Sequence, residues 1–118
     1  VGVQKNVGAQ DVILRTQTDV NAFDSTITTI NGSLRIGYEF EVSDINDLSN
    51  LINLREIDEY LNIRDNDSLV TLDGLNNLTK IGGSFYISRN ENLINLDGLD
   101  SLSIIEGDLF IGINDQLR

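Results

Sequence analysis

The side chains of this chain best suited to contact another molecule recur at a fixed spacing. Asn62, Tyr86 and Phe110 lie 24 positions apart, Arg35 lies 27 positions before Asn62, and Arg64 lies two positions after it. Tyr and Arg are enriched at protein contacts, and aromatic rings also serve at sugar-stacking sites. The chemistry that these residue types favour is recognition by stacking and charged hydrogen bonds.

The composition argues against most catalytic chemistry. The 118 residues include no Cys and no His, so a disulfide framework, a thiolate metal site and the usual general base near neutral pH are all missing. A glycosidase needs two carboxylates at a set separation, and no pair among the 19 acidic residues is singled out by an apolar setting. We expect no enzymatic activity, and a carbohydrate-active enzyme is the least favoured of three functional hypotheses.

The charge of the chain excludes two classes of partner. The formal net charge is -11 and only eight residues are basic, whereas phosphate binding needs clustered Lys and Arg. No apolar run approaches the roughly 20 residues that span a bilayer. We therefore expect no nucleic-acid partner and no direct membrane insertion.

Two acidic segments raise the question of calcium, which binds six to eight oxygen ligands. They are Asp65-Asn66-Asp67 and Asn90-Glu91-Asn92. No EF-hand loop or glycine-rich nonapeptide accompanies them. We expect no cofactor, with calcium as the less favoured alternative.

A repeated apolar pattern must position all of these side chains. Leu61 and Ile63 alternate as in a short strand, and the apolar residues that follow are spaced by three: Leu69, Leu72, Leu75, Leu78 and Ile81. The pattern recurs 24 residues later and begins a third time at Leu109, and an earlier copy from Leu34 carries three extra residues. A fixed period of this size predicts a solenoid of stacked coils.

The predicted fold is mainly β: a short right-handed parallel β-helix, similar to leucine-rich repeats, with coils of about 24 residues and an N-terminal helical cap. The 118 residues are divided into a leader at 1–10, a cap and partial coil at 11–30, coils at 31–57, 58–81 and 82–105, and a truncated coil at 106–118. Because the chain starts at Val1 and stops within a coil, we interpret it as a processed or excised piece.

The cap is predicted from three features. Val12-Ile13-Leu14 is apolar enough for a strand, and Thr16 to Asp19 resembles a capping box with Asp in place of Glu. Val20 and Phe23 would lie on one face of a short helix over the open end of the first coil.

Two further sets of residues recur in register with the coils. Gly74 and Gly98 each follow an Asp, and Asn50 fills the same place in the first coil, which predicts corners with positive φ.

Asn66, Asn90 and Asn114 follow successive strands. They predict a structural ladder in which each amide satisfies backbone groups of its own bend and of the neighbouring coil. A role in ligand binding is the alternative. In the first coil, the insertion places Glu39 or Val42 at this position.

Several segments resemble the receptor L-domain family, a short right-handed β-helix related to leucine-rich repeats. These segments are residues 20–23, residues 30–36 that follow them, and residues 105–114. The resemblance extends from about residue 11 to the end. It implies a ligand-binding domain, and the Cys-free form is similar to surface proteins of Bacteroidetes, so it implies secretion to a bacterial cell surface. The cysteines at the ends of the receptor domains are absent here, so receptor signalling and hormone binding are not implied.

The expected recognition surface is the outward side of the predicted sheet. Its candidate residues are Arg35, Tyr60, Asn62, Arg64, Tyr86 and Phe110, with Tyr38 and Phe40 from the first-coil insertion. A stack of Tyr86 on Phe110 that steadies the sheet is an equal alternative. Tyr38 and Phe40 also alternate with Glu39 and Glu41, which equally describes a longer strand with one apolar side.

Two functional hypotheses follow from this surface and from the ends of the solenoid. The first is a non-catalytic binding or adhesion module of a secreted or cell-surface protein that recognises a protein or glycan. The second is an assembly module that associates through its C-terminal coil, because Leu109, Ile111 and Leu117 would be exposed there.

Overall fold

The computed structural model describes residues 5–7, 10–38, 41–112 and 114. Within them the chain forms ten short strands, one α-helix and one 3-10 turn. In chain order these are β1 (Lys5–Val7), β2 (Val12–Leu14), α1 (Gln17–Ala22), β3 (Ile27–Ile30), β4 (Leu34–Ile36), the 3-10 turn (Ser49–Leu51), β5 (Glu56–Ile57), β6 (Leu61–Arg64), β7 (Lys80–Ile81), β8 (Phe85–Ser88), β9 (Ile104–Ile105) and β10 (Leu109–Ile111). No helix in this part of the chain is long and apolar enough to cross a membrane.

The strands form two parallel sheets. Sheet A has the order β1-β3-β5-β7-β9 and sheet B the order β2-β4-β6-β8-β10. Each coil therefore contributes one strand to each sheet, and the molecule is a parallel β-solenoid of about four turns, as the repeat predicts. The sequence indicated only the sheet now called B, because strands of two residues such as Glu56–Ile57 are too short to show an alternating pattern.

The register follows the sequence repeat. Ile36 pairs with Ile63, Ile63 with Ile87, and Ile87 with Ile111. The pairing of β4 with β6 keeps this register although 27 residues rather than 24 separate Leu34 from Leu61. The three extra residues therefore lie in the bend that follows β4 and leave the stacking intact.

The core is a column of aliphatic side chains between the sheets and the bends. The residues spaced by three, from Leu69 through Leu72 and Leu75 to Leu78, are at most 1% exposed. Full burial of such a side chain stabilises a fold by about 1.5–3 kcal/mol. One coil cannot enclose these residues alone, so stacking is the main source of stability.

The N-terminal cap has the predicted strand and helix. Thr16 Oγ1 accepts a hydrogen bond from Asp19 N at 3.1 Å, while Asp19 Oδ2 accepts from Arg15 N at 2.9 Å, one residue before the position that a capping box uses. Val20 is buried and Phe23 packs against the core at partial exposure. The leader, which the sequence left uninterpreted, contains β1, and β1 pairs with β3.

The corner prediction is right at the two glycines and wrong at Asn50. Gly74 has φ 117° and Gly98 has φ 106°, and a Cβ on Gly74 would lie 2.0 Å from Leu48 O. Asn50 instead belongs to the 3-10 turn, and its Nδ2 donates to Val20 O at 2.8 Å and Phe23 O at 2.6 Å. Glycine could not replace Asn50, because the carbonyl groups of Val20 and Phe23 in the cap accept hydrogen bonds from its side-chain amide.

Candidate functional site: the outward face of sheet B

The outward face of sheet B is built from side chains that alternate with the core residues of each strand. Parallel register places five of them in one column: Ile13, Arg35, Asn62, Tyr86 and Phe110. Neighbouring strands lie about 4.8 Å apart, so the column is about 19 Å long. Ile13 was missing from the sequence-predicted column because β2 was assigned to the cap.

Two tyrosines form the aromatic pair of this face. The rings of Tyr60 and Tyr86 have centroids 6.3 Å apart and planes at 72°, an edge-to-face arrangement. Such pairs stabilise by about 0.5–1.5 kcal/mol beyond burial. The expected stack of Tyr86 on Phe110 is therefore replaced, in the part of the chain described, by a contact between Tyr86 and the flanking residue Tyr60.

The ring of Phe110 lies next to Gly112. A Cβ on Gly112 would be 2.6 Å from Phe110 Cε2, so the ring occupies the space that a side chain would fill. Phe110 is 54% exposed and Tyr86 is 38% exposed. Two large aromatic surfaces are thus available to solvent on one sheet face.

Asn62 lies between Arg35 and Tyr86 in the column and is half-buried. Its Oδ1 is buried and has no hydrogen-bond partner within the described part of the chain. A buried acceptor without a donor is costly, by about 1–3 kcal/mol. The amide of Asn62 is therefore the polar group of this face that the fold leaves unsatisfied.

The arginines of the face have different settings. Arg64 ends β6, and its Nε donates to Asp65 Oδ2 at 2.9 Å. Asp65 itself has φ 59°, a left-handed conformation that the sequence did not signal. Arg35 is half-buried in the column and engaged in an interaction of its own.

The flank that precedes the strands is mainly structural. Ser33 is buried, accepts a hydrogen bond from Tyr60 N at 3.2 Å and donates to Glu59 Oε1 at 3.3 Å. Ser84 Oγ accepts from Asp108 N at 3.0 Å. These hydroxyls connect successive coils, so they are poorly placed to serve a ligand.

The first-coil insertion is only partly described. Tyr38 is half-buried and follows Gly37, which has φ 110° and comes after the end of β4. The longer strand that the alternation suggested therefore does not extend from β4 to Tyr38. Phe40 lies outside the described residues.

The asparagine ladder is present, and its hydrogen bonds explain the period. Asn90 Nδ2 donates to Ile63 O at 3.0 Å in the neighbouring coil and to Ser88 O at 3.1 Å in its own bend. Asn90 Oδ1 accepts from Asn66 N at 3.2 Å and from Asn66 Nδ2 at 3.0 Å, and Asn114 Oδ1 does the same for Asn90. The structural interpretation of these residues is confirmed.

The first position of the ladder belongs to Ser43, whereas the sequence placed Glu39 or Val42 there. Ser43 is buried, and its Oγ donates to Asn66 Oδ1. Counting the three extra residues places Val42 at the position equivalent to Asn66. Ser43, the residue that takes this role, lies one position further along the chain. In this longer bend, the hydroxyl of Ser43 supplies the donor for Asn66 Oδ1, the first acceptor of the ladder.

The two segments considered for calcium use their amides within the fold. Asn66 and Asn90 are buried in the ladder, and Asn92 Nδ2 donates to Asp67 O at 2.7 Å. The residues that the structure describes include no group of three or more acidic, His or Cys side chains suited to hold a metal ion.

The comparisons with known proteins concern most of the chain. A family model described as Receptor L domain matches residues 28–118. Domains that this model describes are binding modules in receptors and are typically non-catalytic. A search of the curated proteins finds no match.

Proposed function

We propose that this chain, which belongs to the receptor L-domain family, is a non-catalytic binding module of a secreted or cell-surface protein. It recognises a protein or glycan through the outward face of sheet B. The observation that carries this proposal is the exposure of Tyr86 on an inner strand of sheet B, between the buried Phe85 and Ile87. The exposed ring of Phe110, on the edge strand β10, lies next to it in the column.

The residue types on the face support this proposal. Tyr and Arg dominate the energetics of protein contacts, and the unsatisfied amide of Asn62 lies beside them. The hydrophobic core that stabilises the solenoid lies on the other side of each strand, so the exposed aromatic surface adds little to it beyond the Tyr60–Tyr86 contact. A ligand would cover the exposed rings of Tyr86 and Phe110.

The test begins with the chain on arrays of glycans and surface proteins, followed by affinity measurements on each retained partner. Phe110→Ala and Arg64→Ala should each weaken binding by about tenfold or more, because aromatic and arginine side chains contribute most of the binding energy at many interfaces. Phe110 is a better probe than Tyr86, because loss of the Tyr60 contact would also lower stability.

Matched controls are available on other sides of the solenoid. Val70 is 44% exposed and Arg55 is exposed outside sheet B. Val70→Ala and Arg55→Ala should leave affinity unchanged. If the face variants bind as tightly as the wild-type chain, the outward face of sheet B is not the site.

A second candidate function, association through the last described coil, is favoured by one observation. Leu109 is 55% and Ile111 is 42% exposed, although their register partners Phe85 and Ile87 are at most 1% exposed. The third residue expected there, Leu117, lies outside the described residues. Light scattering of the 118-residue chain should show association that Leu109→Gln with Ile111→Gln reduces, and a monomer at high concentration would exclude it.

A further inference from the structure

The arginines of this acidic chain are concentrated on one edge of the proposed recognition face. Arg15 follows the end of β2, Arg64 ends β6 and Arg89 follows the end of β8. The strands of sheet B are parallel, so these ends share one edge. We name Arg15, Arg64 and Arg89 the arginine margin.

The concentration is large for this composition. The chain has eight basic residues against 19 acidic ones. Three basic residues lie on the arginine margin and a fourth, Arg35, lies in the adjacent column. Arg15 and Arg89 are both exposed, and neither forms an ion pair with another described residue. Among the described residues, only Arg64 of the arginine margin is ion-paired, with Asp65 at 2.9 Å.

Arg89 also keeps an unfavourable backbone conformation. Its φ is 57°, a region that non-glycine residues populate at a cost of about 1–3 kcal/mol. Glycine would adopt this conformation without strain. Asp65, the equivalent residue one coil earlier, has φ 59°, so this left-handed bend recurs and it presents the side chain of Arg89 at the arginine margin.

The opposite edge of the same face is acidic. Asp108 is exposed just before β10, and Asp11 is exposed just before β2 with its Oδ1 accepting from Ser33 N at 2.9 Å. A ligand that crosses the face therefore meets guanidinium donors on one side and carboxylate acceptors on the other. Between them lie the rings of Tyr86 and Phe110 and the amide of Asn62.

We infer that the face binds an acidic oligosaccharide, one that contains uronic acids; this inference rests on the proposed function. The sugar carboxylates pair with Arg15 and Arg89 and compete with Asp65 for Arg64, sugar hydroxyls donate to Asp108, and ring faces lie on Tyr86 and Phe110. Hydrogen bonds between a guanidinium and a carboxylate are charge-assisted and are stronger than hydrogen bonds between neutral groups.

The size and shape of the face favour this ligand over a polypeptide. Five strands about 4.8 Å apart and about three residues of each strand give an area on the order of 200 Å². A stable protein–protein interface buries about 800 Å² on each partner. Peptides are usually held at a sheet edge or in a groove, whereas this face is the broad side of a sheet.

The experiment measures binding of oligosaccharides of galacturonic, glucuronic and mannuronic acid, each compared with its fully methyl-esterified, neutral form. We expect the acid forms to bind at low salt and the esters to bind at least tenfold more weakly. Arg64→Gln and Arg89→Gln should each weaken the acid forms by about tenfold, as for a lost charged hydrogen bond. Arg55→Gln makes the same charge change away from sheet B and should have no effect.

Two outcomes would overturn the inference in different ways. If a polyglutamate peptide binds in an Arg64-dependent manner while every uronic-acid oligosaccharide fails, the ligand class is wrong and the proposed function stands. If acid and ester forms bind equally and Phe110→Ala has no effect, both proposals fail. Thermal melts of each variant show that the chain remains folded.

Discussion

At the scale of single residues, the most informative side chains are the buried amides that connect one coil to the next. Asn90 alone satisfies Ile63 O, Ser88 O and Asn66 N. Because these groups are buried, a replacement without polar atoms would leave them without partners. The ladder therefore connects the bends of successive coils at the distance that strand pairing sets for Arg35, Asn62, Tyr86 and Phe110.

Asn90→Ala tests this role. We expect the free energy of unfolding to fall by about 3 kcal/mol or more, since each buried group left unsatisfied costs about 1–3 kcal/mol. Urea unfolding is the measurement. Asn92→Ala is the control, because Asn92 is exposed and makes one hydrogen bond between coils. Equal losses in the two variants would contradict a special role for the ladder.

Asp47 gives a prediction about pH. Hydrogen bonds from Ser49, first from its backbone N at 2.8 Å and then from its side chain, lower the pKa of Asp47 below its usual 3.8. The folded state therefore favours the charged carboxylate, and this stabilisation is complete above 3.8 and is lost as the pH falls through the lower folded pKa.

Comparing Asp47→Asn with the wild-type chain isolates this contribution. The variant should be less stable at neutral pH, and the difference should shrink when urea unfolding is repeated well below pH 3.8. A difference that does not change with pH would show that the charge of Asp47 is not involved.

At the scale of helices and strands, the sequence predicted sheet B and the spaced core well and sheet A poorly. Leu61 and Ile63 alternate clearly, and the leucines spaced by three have no other simple explanation than a chain that bends around a core. The strands of sheet A have two residues in three of the coils. The Tyr60–Tyr86 contact was also missed, because the angle of an aromatic ring depends on packing that spacing does not record.

Leu72→Ala tests the spaced core. Leu72 is completely buried, and such truncations cost about 2–5 kcal/mol. Val70 lies two residues away and its side chain is exposed, so Val70→Ala should lower the free energy of unfolding far less. Unfolding in urea distinguishes the two, and similar losses would mean that the spacing by three does not mark the core.

The short helix is predicted to depend on its cap. Thr16 Oγ1 accepts from Asp19 N, and loss of such an N-cap costs about 1 kcal/mol. Thr16→Ala should lower stability by this amount, whereas Thr26→Ala, outside any helix, should not weaken the helix. Helical content from circular dichroism of the two variants, read together with their melting temperatures, checks this.

At the scale of the whole molecule, the solenoid separates structure from recognition. The core, the glycine corners and the ladder lie on the inner side of the strands or in the bends. The core recurs in successive coils, and the corners and the ladder recur in the later ones. The outward face of sheet B varies from coil to coil, with Ile13, Arg35, Asn62, Tyr86 and Phe110 at equivalent positions. If the proposed function is right, binding specificity can change through these side chains while the core stays the same.

The most direct test of this account is amide chemical-shift mapping by NMR, with the isotope-labelled chain titrated with a glycan or surface protein retained on the arrays. We predict that the largest changes cluster in β4, β6, β8 and β10 and extend to Arg64 and Arg89. Changes that cluster instead on sheet A, or at the corners formed by Gly74 and Gly98, would contradict the assignment of recognition to the outward face of sheet B.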